Sequence, residues 1–102
     1  MTSAFTALAE PNRRRILDLL RERERPVGEL VDALSVSQPA VSKHLRVLRE
    51  AGVVEARVDA QRRFYRVRPG PLQEIDAWLG PYRAMWDQSL DALERRLDDM
   101  ND

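Results

Sequence analysis

The chain has 102 residues, of which 43% are hydrophobic, and it contains no cysteine. A chain of this length is expected to form one domain with a modest core, and the lack of cysteine excludes disulfides, thiolate metal ligands and thiol catalysis. No segment approaches the ~20 apolar residues that span a bilayer, and the amino terminus has no apolar run of signal-peptide length, so we expect a cytoplasmic protein with no membrane insertion.

The net charge of zero conceals an uneven distribution of charge along the chain. Residues 35–70 carry eight Lys or Arg and three Asp or Glu, a net charge of +5, whereas residues 71–102 carry three Arg and eight acidic residues, a net charge of −5. A basic middle segment suits a polyanion, and an acidic end would keep that polyanion away from the last third of the chain. The pattern alone also fits ordinary solvated surfaces.

The N-terminal segment, residues 1–25, predicts two short helices. Ser3 is a suitable N-cap for AFTALA, and Pro11 suits the first turn of PNRRRILDLLRER, which should end before Pro26. Arginines 13–15 open the second helix with positive charge. They either bind phosphate or form a solvent-exposed face, and the sequence does not distinguish these two roles.

Residues 27–50 predict two helices joined by a tight turn. VGELVDAL has apolar residues at the i, i+3, i+4, i+7 spacing of one helical face, and the following SVS has weak helix propensity. Ser37 can cap the second helix, and Gly52 fits the left-handed position after its end. The expected buried face of the second helix consists of Val41, Leu45 and Leu48. Its opposite face presents Gln38, Pro39, Ser42, Lys43 and Arg46. This pair is a helix-turn-helix, whose second helix enters the major groove of DNA.

Residues 52–68 predict a β-hairpin. VVEARV and RRFYRV are rich in β-branched and aromatic residues and are separated by DAQ. The tip contains no glycine, so the sequence does not define the turn type. A basic hairpin after a helix-turn-helix is a wing, and Arg57, Arg62 and Arg63 are expected to meet phosphates or a minor groove.

Residues 71–99 predict a long C-terminal helix, with a kink or break near Gly80-Pro81. The helix would be roughly 40 Å long at ~1.5 Å per residue, longer than the preceding residues need for a core, so a second copy of the chain should cover part of its apolar stripe. Its two tryptophans and tyrosine favour a homodimer interface over plain core, and over a ligand pocket at that interface. The predicted interface consists of Phe5, Leu8, Leu72, Ile75, Trp78, Leu79, Tyr82, Met85, Trp86, Leu90, Leu93 and Leu97.

The order of these elements, with LAEPNRRRILDLL, VGELVDALSVSQPAVSKHLRVLREAGVV and RRFYRV, resembles the ArsR-type winged-helix repressors over nearly the whole chain. The resemblance implies a mainly α fold with a small β-hairpin: one winged helix-turn-helix domain over residues 1–102, with a long C-terminal dimerisation helix. It implies a homodimeric prokaryotic transcription factor, usually a repressor, that binds a pseudo-palindromic operator in double-stranded DNA, often in its own promoter, and it implies no cofactor. The predicted DNA-binding surface consists of Ser37, Gln38, Pro39, Ser42, Lys43, His44, Arg46, Arg57, Gln61, Arg62 and Arg63.

One departure from the family pattern concerns metals. Many members sense metal through a Cys-x-Cys pair in the first helix of the helix-turn-helix, where this chain has Val31-Asp32-Ala33. Others use Asp and His pairs on the C-terminal helix, where this chain has carboxylates without histidine. Soft and borderline metals prefer nitrogen or sulfur ligands, so we expect no metal site. The signal that releases the protein from DNA is then a small molecule, an antagonist protein or the abundance of the protein itself.

An enzymatic function has no group of residues to support it. His44, the only histidine, has no nucleophile or second ligand nearby in sequence, and Ser37 and Ser42 lack triad partners. We expect His44 to be packed or to contact phosphate. The alternative to a DNA-reading regulator is a winged-helix module used for protein contact, which would more often expose apolar residues where this chain has Gln, Ser, Lys and Arg.

Overall fold

The computed structural model describes residues 2–100, which form five helices and three strands. In chain order these are α1 Ala4–Leu8, α2 Pro11–Glu22, β1 Arg25–Pro26, α3 Val27–Leu34, α4 Gln38–Glu50, β2 Val54–Asp59, β3 Arg62–Val67 and α5 Leu72–Met100. The predicted fold class is confirmed: a winged helix-turn-helix of mainly α structure, with a hairpin wing and a long C-terminal helix.

Side-chain caps begin three of the helices. Ser3 accepts a hydrogen bond from the Thr6 amide at 3.3 Å, and Ser37 accepts one from the Ala40 amide at 3.2 Å. Glu10 caps α2 in the same way, with 3.0 Å between its Oε2 and the Arg13 nitrogen. These bonds satisfy amides that have no partner within the helix. Ser3 and Ser37 were predicted as caps, whereas Glu10 was not.

One apolar core joins the first four helices to the sheet. The buried face predicted for α4 is confirmed, because Val41, Leu45 and Leu48 are all buried. Within residues 2–100, the buried side chains are Ala4, Ala7, Ile16, Leu17, Leu20, Leu30, Leu34, Val41, Leu45, Leu48, Val53, Val54 and Tyr65. No residue of α5 belongs to this set, although Leu72 and Ile75 pack against it from the start of that helix.

The three strands form an antiparallel sheet in the order β1-β3-β2. Strands β2 and β3 are the predicted wing, paired from Val54 with Val67 to Asp59 with Arg62. Strand β1 was not predicted, because two residues, one of them proline, are too few to show a period. It pairs Arg25 with Tyr65 and ties the segment before α3 to the base of the wing.

Two turns place non-glycine residues in the left-handed region, which disfavours side chains with a Cβ atom. Ser35 ends α3 with φ 57°, and its amide donates to the Val31 carbonyl at 3.0 Å. Ala60, at the tip of the wing, has φ 56°. The predicted left-handed Gly52 is confirmed, with φ 78° after the end of α4.

Helix α5 runs without interruption through Pro81, so of the kink or break predicted near Gly80-Pro81, the break is wrong. Proline removes one backbone hydrogen bond, to the carbonyl of Ala77, but the helix continues on both sides of it. Arg83 bridges this region because its guanidinium donates to both the backbone carbonyl and the carboxylate of Asp76, at 2.7 and 2.6 Å. Within residues 2–100, no helix combines the length and apolar character needed to cross a membrane.

Candidate nucleic-acid interface

Helix α4 presents a polar and basic stripe on the side opposite its buried face. The core holds the helix through residues such as Leu45, which is 2% exposed, so the orientation of the stripe is fixed by packing. The turn before α4 places the Ser37 cap at the exposed end of the stripe. The predicted contact residues that are exposed on this side are Ser37, Gln38, Pro39, Ser42, Lys43 and Arg46.

The structure separates His44 from this stripe. Its side chain is 16% exposed, and its Nε2 lies 3.8 Å from Oε2 of Glu10, at the start of α2. Its Nδ1 is buried and has no hydrogen-bond partner within residues 2–100. Of the two roles expected for His44, the geometry therefore favours the packed one.

The tip of the wing carries exposed cations. Gln61, Arg62 and Arg63 are all exposed at or beside the turn. The Arg62 guanidinium lies 5.1 Å from the centroid of the Phe64 ring, a cation–π contact that orients it. These three side chains are exposed on the same hairpin.

Arg57, also predicted to contact DNA, is engaged within the protein. Its Nε donates to both carboxylate oxygens of Glu24 at 3.0 and 2.9 Å, and its Nη2 donates to the same carboxylate. The guanidinium also lies over the Phe64 ring, 4.9 Å from the centroid. The hydrogen bonds from Arg57 hold the pKa of Glu24 below its ordinary value and raise the pKa of Arg57. This pair therefore anchors β2 to the segment that precedes β1.

Two further wing arginines are paired as well. Arg66 donates to Glu55 at 2.5 Å, and Arg68 lies 3.6 Å from the same carboxylate. The charge of +5 that the sequence gives residues 35–70 is thus partly neutralised at the base of the wing, and the unpaired cations lie towards its tip and on α4.

A cleft between α4 and β3 brings unpaired cations from both elements together. Arg49, which was not predicted as a site residue, lies in it with Arg46 and Arg63. The signal that could have found Arg49 is its spacing, because Ser42, Arg46 and Arg49 stand at i, i+4 and i+7 and share one side of the helix.

Two of the arginines at the start of α2 have a role that differs from both predicted roles, phosphate binding and a solvent-exposed face. Arg13 donates to the carbonyls of Ala7 and Thr6 at 2.7 and 3.0 Å, and Arg14 donates to that of Leu8 at 2.6 Å. These carbonyls lie at the end of α1, where the Thr6 carbonyl also accepts from the Ala9 amide at 3.2 Å and the last carbonyls of a helix lack intrahelical partners. Arg13 and Arg14 therefore cap α1.

The predicted dimer residues divide into two groups. Leu8, Leu72 and Ile75 are partly buried against the core of their own chain, and Leu79 has intermediate exposure. The exposed group consists of Phe5, Trp78, Tyr82, Met85, Trp86, Leu90, Leu93 and Leu97. Trp78 links the exposed parts of α1 and α5, because its ring packs edge-on against Phe5 at 5.8 Å and lies 4.8 Å from Tyr82.

Potential metal ligands are not grouped in the described structure. Within residues 2–100, no cluster of three or more His, Cys, Asp or Glu side chains has the geometry to hold a metal ion. What the structure does bring together is a helix-turn-helix with an exposed polar and basic stripe and a wing with exposed cations. This combination defines a winged helix-turn-helix DNA-binding protein.

Comparison with known proteins identifies the family. The model of the bacterial regulatory protein, arsR family, matches residues 10–56. The transcriptional repressor SdpR of Bacillus subtilis is 32% identical over 79 residues, covering 78% of this chain and 88% of that protein. The chain belongs to the ArsR family of transcriptional regulators. It is thus a DNA-binding transcriptional regulator, and membership of this family fits the expectation that it is not an enzyme.

Two further relatives extend the comparison. The repressor SmtB of Mycobacterium tuberculosis is 48% identical over 69 residues, which cover 68% of this chain. The chain spans only about half of SmtB, 51% of its length. An ArsR-like transcriptional regulator from Rhodococcus sp. RHA1 has a solved structure with a TM-score of 0.73 and 29% identity, covering 93% of this chain and 87% of that one.

Proposed function

We propose that the protein is a homodimeric, sequence-specific repressor with one winged domain per protomer, which binds a pseudo-palindromic operator in the cytoplasm of a prokaryote. We include an operator in the promoter of its own gene. The observation that carries it is the exposed stripe of α4, packed rigidly on the core and flanked by the unpaired arginines of the wing. Short polar and cationic side chains at the start of a helix are suited to reading base edges.

The residues of the stripe divide by chemistry. Gln38 can form paired hydrogen bonds with adenine, and Lys43 can donate to the acceptors of guanine. Ser37 and Ser42 suit phosphate or base contacts, and Pro39 shapes the first turn between them. On the wing, Arg62, Arg63 and Gln61 suit flanking phosphates or the minor groove.

The exposed face of α5 supports the homodimer. Trp78 and Trp86 are 55% and 59% exposed, and this apolar face continues past them to Leu97. Soluble proteins rarely expose contiguous apolar surface of this kind, and large aromatic residues are enriched at interfaces. Two copies of a winged domain joined through such a face would present two recognition helices, which matches an inverted repeat.

We further propose that DNA release does not depend on a metal ion. Neither cysteine nor a second histidine is present in the sequence, which removes the ligands that zinc, cadmium and arsenite prefer. The releasing signal is a small molecule, an antagonist protein or a change in protein abundance. A stoichiometric zinc site that lowers operator affinity would contradict this part of the proposal.

The alternative, a winged-helix module for protein contact, would require an apolar recognition face. The outward side of α4 and the tip of the wing instead present Gln, Ser, Lys and Arg, and the exposed apolar residues are concentrated on α5. The charge and position of the polar stripe therefore favour DNA.

The test is a fluorescence-anisotropy titration with DNA from upstream of the gene and with a scrambled duplex, at low and near-physiological salt. We expect a preference for the upstream DNA that persists at the higher salt. Lys43→Ala should weaken binding to that DNA by roughly tenfold or more, as expected for loss of a base contact. Arg95→Ala, which removes the same charge from α5, is the matched control and should leave affinity nearly unchanged.

Equal binding to both duplexes that is lost at near-physiological salt would contradict the autoregulatory operator. Equal losses for Lys43→Ala and Arg95→Ala would show that only net charge matters, and would refute the assignment of the reading face to α4.

A further inference from the structure

The cleft between α4 and β3 contains three arginines and no carboxylate. Its volume is ≈ 230 Å³, and it is lined by Ser42, Leu45, Arg46, Arg49, Arg63 and Tyr65.

The regular geometry of α4 and of β3 explains why the side chains of these two elements face the same cleft. Ser42, Arg46 and Arg49 share one side of α4 because they stand at i, i+4 and i+7. Arg63 and Tyr65 are two residues apart on β3, so they lie on the same face of the sheet. Tyr65 is buried against the core, and this fixes the spacing between the two walls.

The charges in the cleft are uncompensated. Within residues 2–100, none of Arg46, Arg49 and Arg63 forms an ion pair, whereas Arg57 and Arg66 are paired with Glu24 and Glu55. Like charges held in one cleft repel one another, and an anion bound between them offsets this repulsion because it attracts each of them. A guanidinium group also presents a planar fork of donors that matches the oxygens of a phosphate.

We propose that this cleft binds a single phosphodiester group of the DNA backbone, held jointly by Arg46 and Arg49 of α4 and Arg63 of the wing. The proposal rests on the proposed function, because DNA supplies the phosphate. Arg46 and Arg49 lie in the second half of α4, beyond the residues at its start that are suited to base edges. The phosphate thus lies between the groove that α4 enters and the DNA beneath the wing, and fixes the register of both elements on the duplex.

The salt dependence of binding distinguishes one shared phosphate from several separate ones. The slope of log K against log[salt] changes by about 0.9 for each phosphate that the protein neutralises. We therefore expect Arg49→Ala and Arg63→Ala each to weaken binding to the upstream DNA by about tenfold. The double variant should lose less than the product of the two single losses, and its slope should fall by about one.

A slope change of about two in the double variant, with losses that multiply, would overturn the proposal in favour of two independent phosphate contacts. Unchanged affinity and slope would also overturn it. Both side chains are exposed, so the variants should fold, and thermal unfolding of each purified protein checks this directly.

A second measurement tests the cleft without an operator. Thermal unfolding is followed while inorganic phosphate replaces chloride at constant ionic strength. The midpoint of the unmodified protein should rise with phosphate concentration, and that of Arg49→Ala/Arg63→Ala should rise much less. Arg95→Ala/Arg96→Ala is the control, because it removes the same charge from α5.

The two measurements separate failure of this proposal from failure of the proposed function. A phosphate response that requires Arg49 and Arg63, with no preference for the upstream DNA, would support the anion site and count against the autoregulatory operator. A clear DNA preference with no response of phosphate binding or salt slope to these arginines would uphold the regulator and refute the shared phosphate site.

Discussion

Helices α4 and α5 are both amphipathic, yet within residues 2–100 only α4 buries its apolar face. Helix α4 has 13 residues and buries Val41, Leu45 and Leu48 within its own chain. Helix α5 has 29 residues and buries none, although it carries two tryptophans and a series of leucines. Helical periodicity therefore shows where an apolar face lies but not whether the same chain covers it.

The difference follows from where each helix lies. Helix α4 packs among α2, α3 and β2, whereas α5 touches the core only through its first turns, at Leu72 and Ile75. At ~1.5 Å per residue α5 is about 43 Å long. The described structure accordingly measures 68 Å along its longest axis and only 28 and 21 Å along the others. Beyond those first turns, most of the apolar face of α5 is exposed within residues 2–100.

The largest expected effect on stability comes from truncating a side chain on the buried face of α4. Leu45→Ala should lower the free energy of unfolding by about 2–5 kcal/mol, because it leaves a cavity in the core. Since a domain of this size is stable by only about 5–15 kcal/mol, the variant should be close to unfolding. Urea denaturation followed by circular dichroism measures the loss.

The same truncation on α5 is the matched control. Leu93 is 50% exposed, so Leu93→Ala should leave the unfolding free energy of the dissociated protomer nearly unchanged. Equal losses for Leu45→Ala and Leu93→Ala at low protein concentration would contradict the distinction between the two helices.

The next largest effect concerns the face that α5 leaves exposed. Trp86→Ala should weaken the dimer by at least ~2 kcal/mol, or about thirty-fold in its dissociation constant, as expected for an aromatic residue at an interface centre. Sedimentation velocity over a range of concentrations measures this constant. Gln88→Ala, also on α5 but pointing to another side, should have little effect. If Trp86→Ala sediments as the unmodified protein does, the proposed interface is wrong.

Features of the fold that depend on local chemistry could be predicted from the sequence, whereas features that depend on tertiary contacts could not. The caps Ser3 and Ser37, the left-handed Gly52 and the two wing strands were found because each depends on local chemistry. A break near Pro81, one of the two outcomes predicted there, is wrong, since one lost hydrogen bond does not end a long helix. Strand β1 was missed because its pairing with β3 is a tertiary contact.

The candidate site was less predictable than the fold. The outward residues of α4 followed from helical spacing, but the spacing of Arg49 was overlooked. The partners of Arg57 and Arg13 could not be foreseen, because Glu24 is 33 residues from Arg57 and the carbonyl acceptors of Arg13 carry no sequence signal. Charge counts therefore overestimated how many wing arginines are unpaired.

A smaller effect should come from the cap that begins α4. Ser37→Ala removes the acceptor of the Ala40 amide and should lower the free energy of unfolding by about 1 kcal/mol. The loss should be the same at every protein concentration, because the cap lies in the winged part of the chain. Ser37→Asp, which retains an acceptor, should restore most of the stability. A concentration-dependent loss would show that the turn before α4 is coupled to the interface.

The smallest effect concerns the ion pair between Glu24 and Arg57. The hydrogen bonds from Arg57 lower the pKa of Glu24 in the folded protein, so their stabilising contribution is present above the unfolded pKa of about 4.3 and is lost as pH falls through the lower, folded value. Stability should therefore fall less steeply below about pH 4 in Glu24→Gln than in the unmodified protein. Urea midpoints measured at a series of pH values give the two profiles.

Glu24 and Arg57 both lie in the winged part, so the difference between the two profiles should not change with protein concentration. Glu94→Gln is the control, because this α5 carboxylate has no ion pair within residues 2–100 and its removal should leave the low-pH slope unchanged. If Glu24→Gln and Glu94→Gln altered the slope equally, the contribution would come from net charge, and the ion pair would not anchor the wing.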